Sequence, residues 1–193
     1  NASIIKAVDN SKVVVEGSVY LETDLTKGVK NIITADASTV EIGGGNIVAS
    51  GDGAKAVVAD NGSVVAINVV KDAEGKVVSA GTTNLSLVGD MQAKDADSKI
   101  YLGLGEGSSW TGNIVALDED EVVKEANIQL YLDKATWAGS SDGSVAVNMN
   151  NGAAWTGNVT GDNSTITLNG EGTVWTGYNT GKEVDVTLSN GAA

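Results

Sequence analysis

Four consecutive carboxylates, Asp118, Glu119, Asp120 and Glu121, are the densest set of hard oxygen ligands in the chain, and such a set suits calcium. Calcium loops space their carboxylates on alternate residues, with a glycine at the turn and a distal glutamate. Neither that spacing nor a glycine-rich nonapeptide repeat occurs here. The run reads as a solvated loop, and no metal or cofactor is expected. A second use of carboxylates is glycoside cleavage, in which a retaining enzyme holds two of them about 5–5.5 Å apart. Asp133 and Asp185 fall on strand-like segments, and Lys99, Lys124, Lys134 and Lys182 are the only bases available in the second half. Nothing in the spacing makes that pair converge. The chain has no histidine and no cysteine, so it can build neither a Ser-His-Asp or Cys-His nucleophile nor a His/Cys zinc site. Gly43-Gly44-Gly45 and Gly103-Leu104-Gly105-Glu106-Gly107 lack the strand-to-helix setting and the Gly-Lys-Ser/Thr ending of a phosphate cradle. They read as corners, and the chain reads as a non-enzyme.

Charge narrows the partners. All twelve basic residues are lysine and the formal net charge is −13, which repels phosphate backbones and supplies no bidentate arginine reader. Nucleic acid is therefore not an expected partner. No apolar stretch approaches the roughly 20 residues that cross a bilayer, so no membrane insertion of this segment is expected. Absence of cysteine gives no disulfide framework, as suits a protein exported while extended. The Asn-x-Ser/Thr triplets at Asn61, Asn84, Asn158 and Asn163 follow from an Asn/Ser/Thr-rich composition.

The elements that must position any surface chemistry come from a repeat. All four tryptophans stand in Trp-(Thr/Ala)-Gly, at Trp110, Trp137, Trp155 and Trp175, spaced 27, 18 and 20 residues apart. Each follows a short alternating strand and a Gly/Asn corner. Units this small cannot bury their own apolar faces and must lean on neighbours. The rings are either an exposed platform for sugars or a column packed at a corner. The packed reading is preferred, because a small residue and a glycine after the ring suit a tight corner and an aromatic buries 150–250 Å².

Valine, isoleucine and threonine, broken by glycine, asparagine and aspartate with no proline, predict short strands throughout. Strands are expected at 3–8, 12–15, 19–21, 32–35, 40–42, 46–49, 54–58, 64–70, 77–79, 84–88 and 99–102. Asp60-Asn61-Gly62-Ser63-Val64-Val65-Ala66 resembles Ser141-Asp142-Gly143-Ser144-Val145-Ala146-Val147, which extends the repeat into the first half. The expected fold is all-β, a three-sided parallel β-helix of about 9–10 coils at roughly 20 residues each. Residues 1–193 read as a single body without a domain boundary, with its strongest repeats at 99–193. An insertion loop is expected near 117–126 and a charged, exposed hairpin at 70–77, with Glu74-Gly75 at its tip. Val184 to Ala193 repeats the template of Val145 to Ala154 without the following tryptophan, so a fragment of a longer rod is expected. Parity points Ile128, Leu130, Leu132, Val145, Val147, Met149, Ile166, Leu168, Val184, Val186 and Leu188 inward. It points Gln129, Tyr131, Ala146, Asn148, Thr165, Thr167, Asp185 and Thr187 outward. Tyr101, Tyr131, Asn148, Thr167 and Thr187 are thus the candidate ligand-binding residues.

The units Ser109-Trp110-Thr111-Gly112-Asn113-Ile114 and Ala154-Trp155-Thr156-Gly157-Asn158-Val159 resemble those of Gram-negative autotransporter passenger domains, adhesins in particular. The resemblance covers roughly residues 99–193 by motif and the rest by composition. It implies a right-handed parallel β-helix exported to the bacterial cell surface, binding host matrix protein, glycan or another copy of itself. No binding residue carries over from the family, because its binding surfaces share no motif. The expected function is an adhesin or aggregation module whose exposed polar face gains avidity by repetition. The alternatives are a purely structural stalk or biofilm-matrix segment, and a β-helix polysaccharide lyase or glycosidase.

Overall fold

β-Branched runs of two to eight residues, punctuated by asparagine and glycine, give the described residues extended segments and sharp corners. The computed structural model describes residues 2–23, 28–118 and 126–193, and among these there is no helix. The first three strands are β1 (Ala2–Ala7), β2 (Lys12–Val15) and β3 (Val19–Glu22). The next three are β4 (Val29–Asp36), β5 (Thr39–Ile42) and β6 (Gly45–Val48). Then come β7 (Lys55–Asp60), β8 (Val64–Ile67), a hairpin of β9 (Val69–Lys71) and β10 (Val77–Ala80), and β11 (Leu85–Val88). After these run β12 (Asp90–Ala93), β13 (Lys99–Leu104), β14 (Ser109–Thr111), β15 (Ile114–Val115), β16 (Ile128–Asp133) and β17 (Thr136–Ala138). The last are β18 (Val145–Asn150), β19 (Ala154–Thr156), β20 (Thr165–Asn169), β21 (Val174–Thr176) and β22 (Asp185–Ser189).

Pairing leaves β9 and β10 as an antiparallel pair and sorts the other strands into three parallel sheets that the chain visits in rotation. The first is β1-β4-β7-β12-β15, the second β2-β5-β8-β13-β16-β18-β20-β22 and the third β3-β6-β11-β14-β17-β19-β21. Beyond β15 the first sheet dwindles to single parallel bridges, Ile114 to Ser141, Ser141 to Val159 and Val159 to Asn179. The longest sheet thus has eight strands, where nine to ten coils were expected. The difference lies in the N-terminal passes, whose equivalent serines are 27, 25 and 35 residues apart, well above the 19 at Val145 and Ser164.

Parallel, in-register pairing puts equivalent residues over one another. The second sheet carries an inward row Val15, Ile42, Ile67, Leu102, Leu130, Val147, Ile166 and Val186. The first carries Ile5, Ile33, Val57, Met91 and Ile114. One apolar cluster joins these rows with that of the third sheet. Ile128, Leu130, Leu132, Val145, Val147, Met149, Ile166 and Leu168 are all buried, as their parity requires. On the edge strand β22, Val186 and Leu188 keep that parity but are 42% and 53% exposed, because no further strand covers them.

The third sheet's inward row is Leu21, Ile47, Leu87, Trp110, Trp137, Trp155 and Trp175. The rings stack with centroids 4.8, 4.3 and 5.1 Å apart and planes within 15°, and the first three are 1% exposed. They are packed and are not a platform for sugars. They stand at the centre of three-residue strands and not at a corner, so the corner belongs to the glycine that follows. Each indole Nε1 donates a 2.9 Å bond to the carbonyl of the glycine closing the previous unit: Trp110 to Gly89, Trp137 to Gly112, Trp155 to Gly139 and Trp175 to Gly157. A β-carbon on Gly157 would fall on the Gly139 carbonyl and beside the Trp155 Nε1, and Gly112, Gly139 and Gly177 are equally crowded. That bond is the physical reason for the Trp-x-Gly unit: the ring needs an acceptor one layer away, and only glycine lets the carbonyls come close enough.

Two other sequence expectations change. The strand expected at 64–70 breaks at Asn68, whose φ of 49° turns the chain out of the sheet. The match of Val64 with Val145 is off by one residue, since Val65 shares the row of Ile100, Ile128 and Val145; a one-residue slip exchanges the two faces of a strand. Of the acidic insertion expected near 117–126, residues 119–125 lie outside the described residues.

Candidate functional site

Among the described residues, the hairpin departs from the repeat and folds over a sheet. At its root the buried Asn68 side chain donates to the carbonyls of Thr83 (2.7 Å) and Gly103 (3.0 Å), while its own carbonyl accepts from the Gly81 amide at 2.6 Å. At its tip the Asp72 carboxylate accepts from the amides of Glu74 and Lys76, at 3.1 and 2.8 Å. Gly75 takes φ 81° there, a left-handed conformation that a β-carbon disfavours. The tip is exposed as expected. The base is not: Val77 is buried, and its carbonyl accepts from the Tyr131 hydroxyl at 3.2 Å. On the other side Lys71 pairs with Glu41 at 2.7 Å, and Lys12 pairs with the same carboxylate at 3.3 Å. The Lys71 hydrogen bond, acting against partial burial, holds the Glu41 carboxyl below its ordinary range.

Two hollows flank the hairpin on the outer face of the second sheet. The larger, about 480 Å³, lies between β9 and β2 and is lined by Val14, Glu41, Ala66, Val70 and Thr82 among others. The smaller, about 230 Å³, is walled by Val78, Ser79 and Ala80 of β10 and floored by Tyr131, Asp133, Asn148 and Asn150. Tyr131 is half-buried, and burial, with the neighbouring Tyr101 adding to it, raises its hydroxyl pKa above the ordinary tyrosine value.

Of the five residues singled out from the sequence, four share one row: Tyr131, Asn148, Thr167 and Thr187, all aligned with Gly103. Tyr101 stands one row over, with Gln129, Ala146, Thr165 and Asp185. Only Tyr131 and Asn148 line the small cleft, and Thr167 and Thr187 continue away from it along the sheet. Beside that row runs Asp133, Asn150, Asn169 and Ser189, where side chains bond between layers: Asn169 to Asn150 at 3.1 Å and Ser189 to Asn169 at 3.1 Å. The carboxylates Asp133 and Asp185 are three strands apart and four residues out of line along them, a separation on the order of 20 Å, far beyond that of a retaining pair. Among the described residues no three potential ligands gather around a common metal position. Asp118 instead pairs with Lys94 at 3.1 Å, and Lys94 with Asp60 at 2.8 Å.

A second surface was missed from the sequence. The outward residues of the third sheet from β6 onward are Asn46 and Val48, Ser86 and Val88, Ser109 and Thr111, Thr136 and Ala138, Ala154 and Thr156, and Val174 and Thr176. These six strands contain no charged residue in a chain of formal charge −13. The signal was present: once the tryptophan points inward, its two neighbours must point outward, and each is small and uncharged. Comparison with protein-family models, with curated proteins and with solved structures gave no match.

Proposed function

We propose that the chain is a right-handed, three-sided parallel β-helix serving as an extracellular adhesin or aggregation module on a bacterial surface, of the autotransporter kind that its Trp-Thr-Gly units resemble. The observation that carries this reading is the uncharged face of the third sheet. Two copies of a chain at −13 repel each other wherever charged faces meet, and like-charge juxtaposition is costly. The six uncharged strands are the face on which a second copy, or a neutral matrix protein or glycan, approaches without that cost. Six strands at ~4.8 Å spacing and a width of ~10 Å give about 300 Å², below the ~800 Å² per partner of a stable complex. Each contact is weak, and many copies arrayed on a surface make it effective.

The test is clumping of beads that display the chain, with Thr136→Glu and Thr156→Glu on the third sheet and Thr165→Glu on the second. Loss of clumping in the first two variants, with the third like the parent, is the expected outcome. Equal clumping in all four forms, or parent beads that neither clump nor take up matrix protein or glycan, would refute it. The latter outcome would leave a structural stalk.

A further inference from the structure

We propose that the cleft between β10 and the second sheet is a saccharide site that seats a single pyranose ring, with the face of Tyr131 as its floor and Asp133, Asn148 and Asn150 as its hydrogen-bonding groups. This deepens the adhesin reading by naming a ligand class, but it uses a different face of the molecule from the one that carries self-association.

Polar groups left over in the cleft point to the ligand. Asparagines along this sheet bond from layer to layer, as Asn151 does to Asp133 (2.8 Å) and Asn190 to Asn169 (2.6 Å). Asn148 does not: it is half-buried, and among the described residues no hydrogen bond reaches its side chain. Asp133 has only its Oδ1 engaged, by Asn151. Asn150 has only its Oδ1 engaged, by Asn169, so its amide donors are free. The cleft therefore offers a carboxylate acceptor, a complete amide and a further pair of N–H donors, at positions fixed by strand spacings of ~4.8 Å across and ~6.7 Å along the sheet.

Tyr131 supplies the apolar part. Its hydroxyl has the Val77 carbonyl and Gln129 Oε1 as acceptors, both at 3.2 Å, which holds the ring where it lines the cleft. A rigid aromatic with mixed donors and acceptors around it suits a ring that has an apolar C–H face and a rim of hydroxyls, each both donor and acceptor. Competing ligands fit less well. An anion meets Asp133 and a chain of net charge −13; a metal ion meets one carboxylate; a purely apolar molecule would strand the amides; and 230 Å³ holds about one ring, so an extended peptide would leave most of its length outside.

Saturation-transfer NMR and titration of the whole chain with the methyl pyranosides of galactose, mannose, glucose and N-acetylglucosamine test this. At least one should bind with a millimolar Kd, the range of a ligand of about a dozen non-hydrogen atoms. Asn148→Ala and Asp133→Asn should each weaken it at least about 5-fold, and Ala80→Phe, which fills the cleft, should abolish it. Thr187→Ala, on the same row but remote, should bind like the parent. No saturation transfer from any of the four sugars, or undiminished binding by Asn148→Ala with an unchanged melting curve, would overturn the proposal. Bead clumping through the third sheet should survive Asn148→Ala, so failure of the sugar site and failure of the adhesin reading are told apart.

Discussion

The third sheet fills the same inward row in two ways. Its first three strands use Leu21, Ile47 and Leu87, and its last four use tryptophan. An aliphatic row packs but carries no directional bond, so the N-terminal passes fix their register elsewhere. A ladder of corner serines does it: the amide of Ser11 donates to Ser38 Oγ, that of Ser38 to Ser63 Oγ and that of Ser63 to Ser98 Oγ, at 3.1, 3.0 and 3.1 Å. Those passes also keep long strands in the first sheet, β4 having eight residues. In the C-terminal passes the first sheet shrinks to single bridges, and the large indoles pack into the apolar interior. Their Nε1 bonds set the register layer by layer. Corner bonds persist there, as from the Val145 amide to Ser164 Oγ at 3.1 Å and from the Gly152 amide to Thr173 Oγ1 at 2.9 Å, so the comparison is between passes locked at their corners alone and shorter passes locked at both corner and core.

The largest difference between the regions should appear on truncating the core row. Trp137→Ala removes a ring stacked on both sides and leaves the Gly112 carbonyl without its donor, and it should cost about 3–5 kcal/mol. That would be read as a lowered urea midpoint. Trp137→Phe keeps an aromatic ring in the stack and removes the bond, so it retains most of the packing without the register contact and should cost about 1–3 kcal/mol. Leu87→Ala, at the same row in the other region, should cost about 2–4 kcal/mol with no hydrogen-bond component. If Trp137→Phe were as damaging as Trp137→Ala, the bond and not the stack would dominate.

Next in size is the glycine lock. Gly157→Ala forces the Gly139 carbonyl away from Trp155 and should cost at least about 2 kcal/mol. The corner lock comes after it: Ser63→Ala leaves the buried Ser38 amide unpaired, for about 1–3 kcal/mol. A Ser63→Ala variant as stable as the parent in urea would mean that the serine ladder does not hold the N-terminal passes.

The smallest effect is that of pH. Burial raises the Asp95 carboxyl, but the Ser98 hydroxyl and the amides of Ser98, Asp97 and Gly62 outweigh it and hold its pKa below the ordinary aspartate value. Glu41 is held low mainly by Lys71. For a depressed carboxylate the stabilisation is present above its unfolded pKa, near 4, and is lost as pH falls through the lower folded value. Denaturant midpoints should therefore drop below about pH 4, and Asp95→Asn should flatten part of that drop. The Glu41 share is that of a surface pair, at most about 1 kcal/mol.

Much of this was legible in the residues. Alternation in β16, β18 and β20 named the inward side chains, because a strand with one buried face cannot hide its period. Asp72, Glu74 and Gly75 announced the hairpin tip through turn chemistry. The residues show the tryptophans as packed but do not distinguish a corner from a strand, since a ring flanked by small residues looks the same in a three-residue strand. Val64 was aligned one position off because Val64-Val65-Ala66-Ile67 is apolar on both faces: the hairpin base covers its outer side, and the alternation that would have fixed the register is gone. The serine ladder was hidden for a different reason. Serine at a corner reads as a turn former, and only the pairing of layers shows it bonding to the next one.

The most direct test of the layered indole lock is hydrogen exchange at the four indole N–H groups, followed by ¹⁵N-resolved NMR. The Nε1 protons of Trp110, Trp137 and Trp155, buried and bonded at 2.9 Å, should exchange orders of magnitude more slowly than a free indole, with Trp175 at the open end the fastest of the four. Exchange of all four at the rate of free tryptophan would contradict the account.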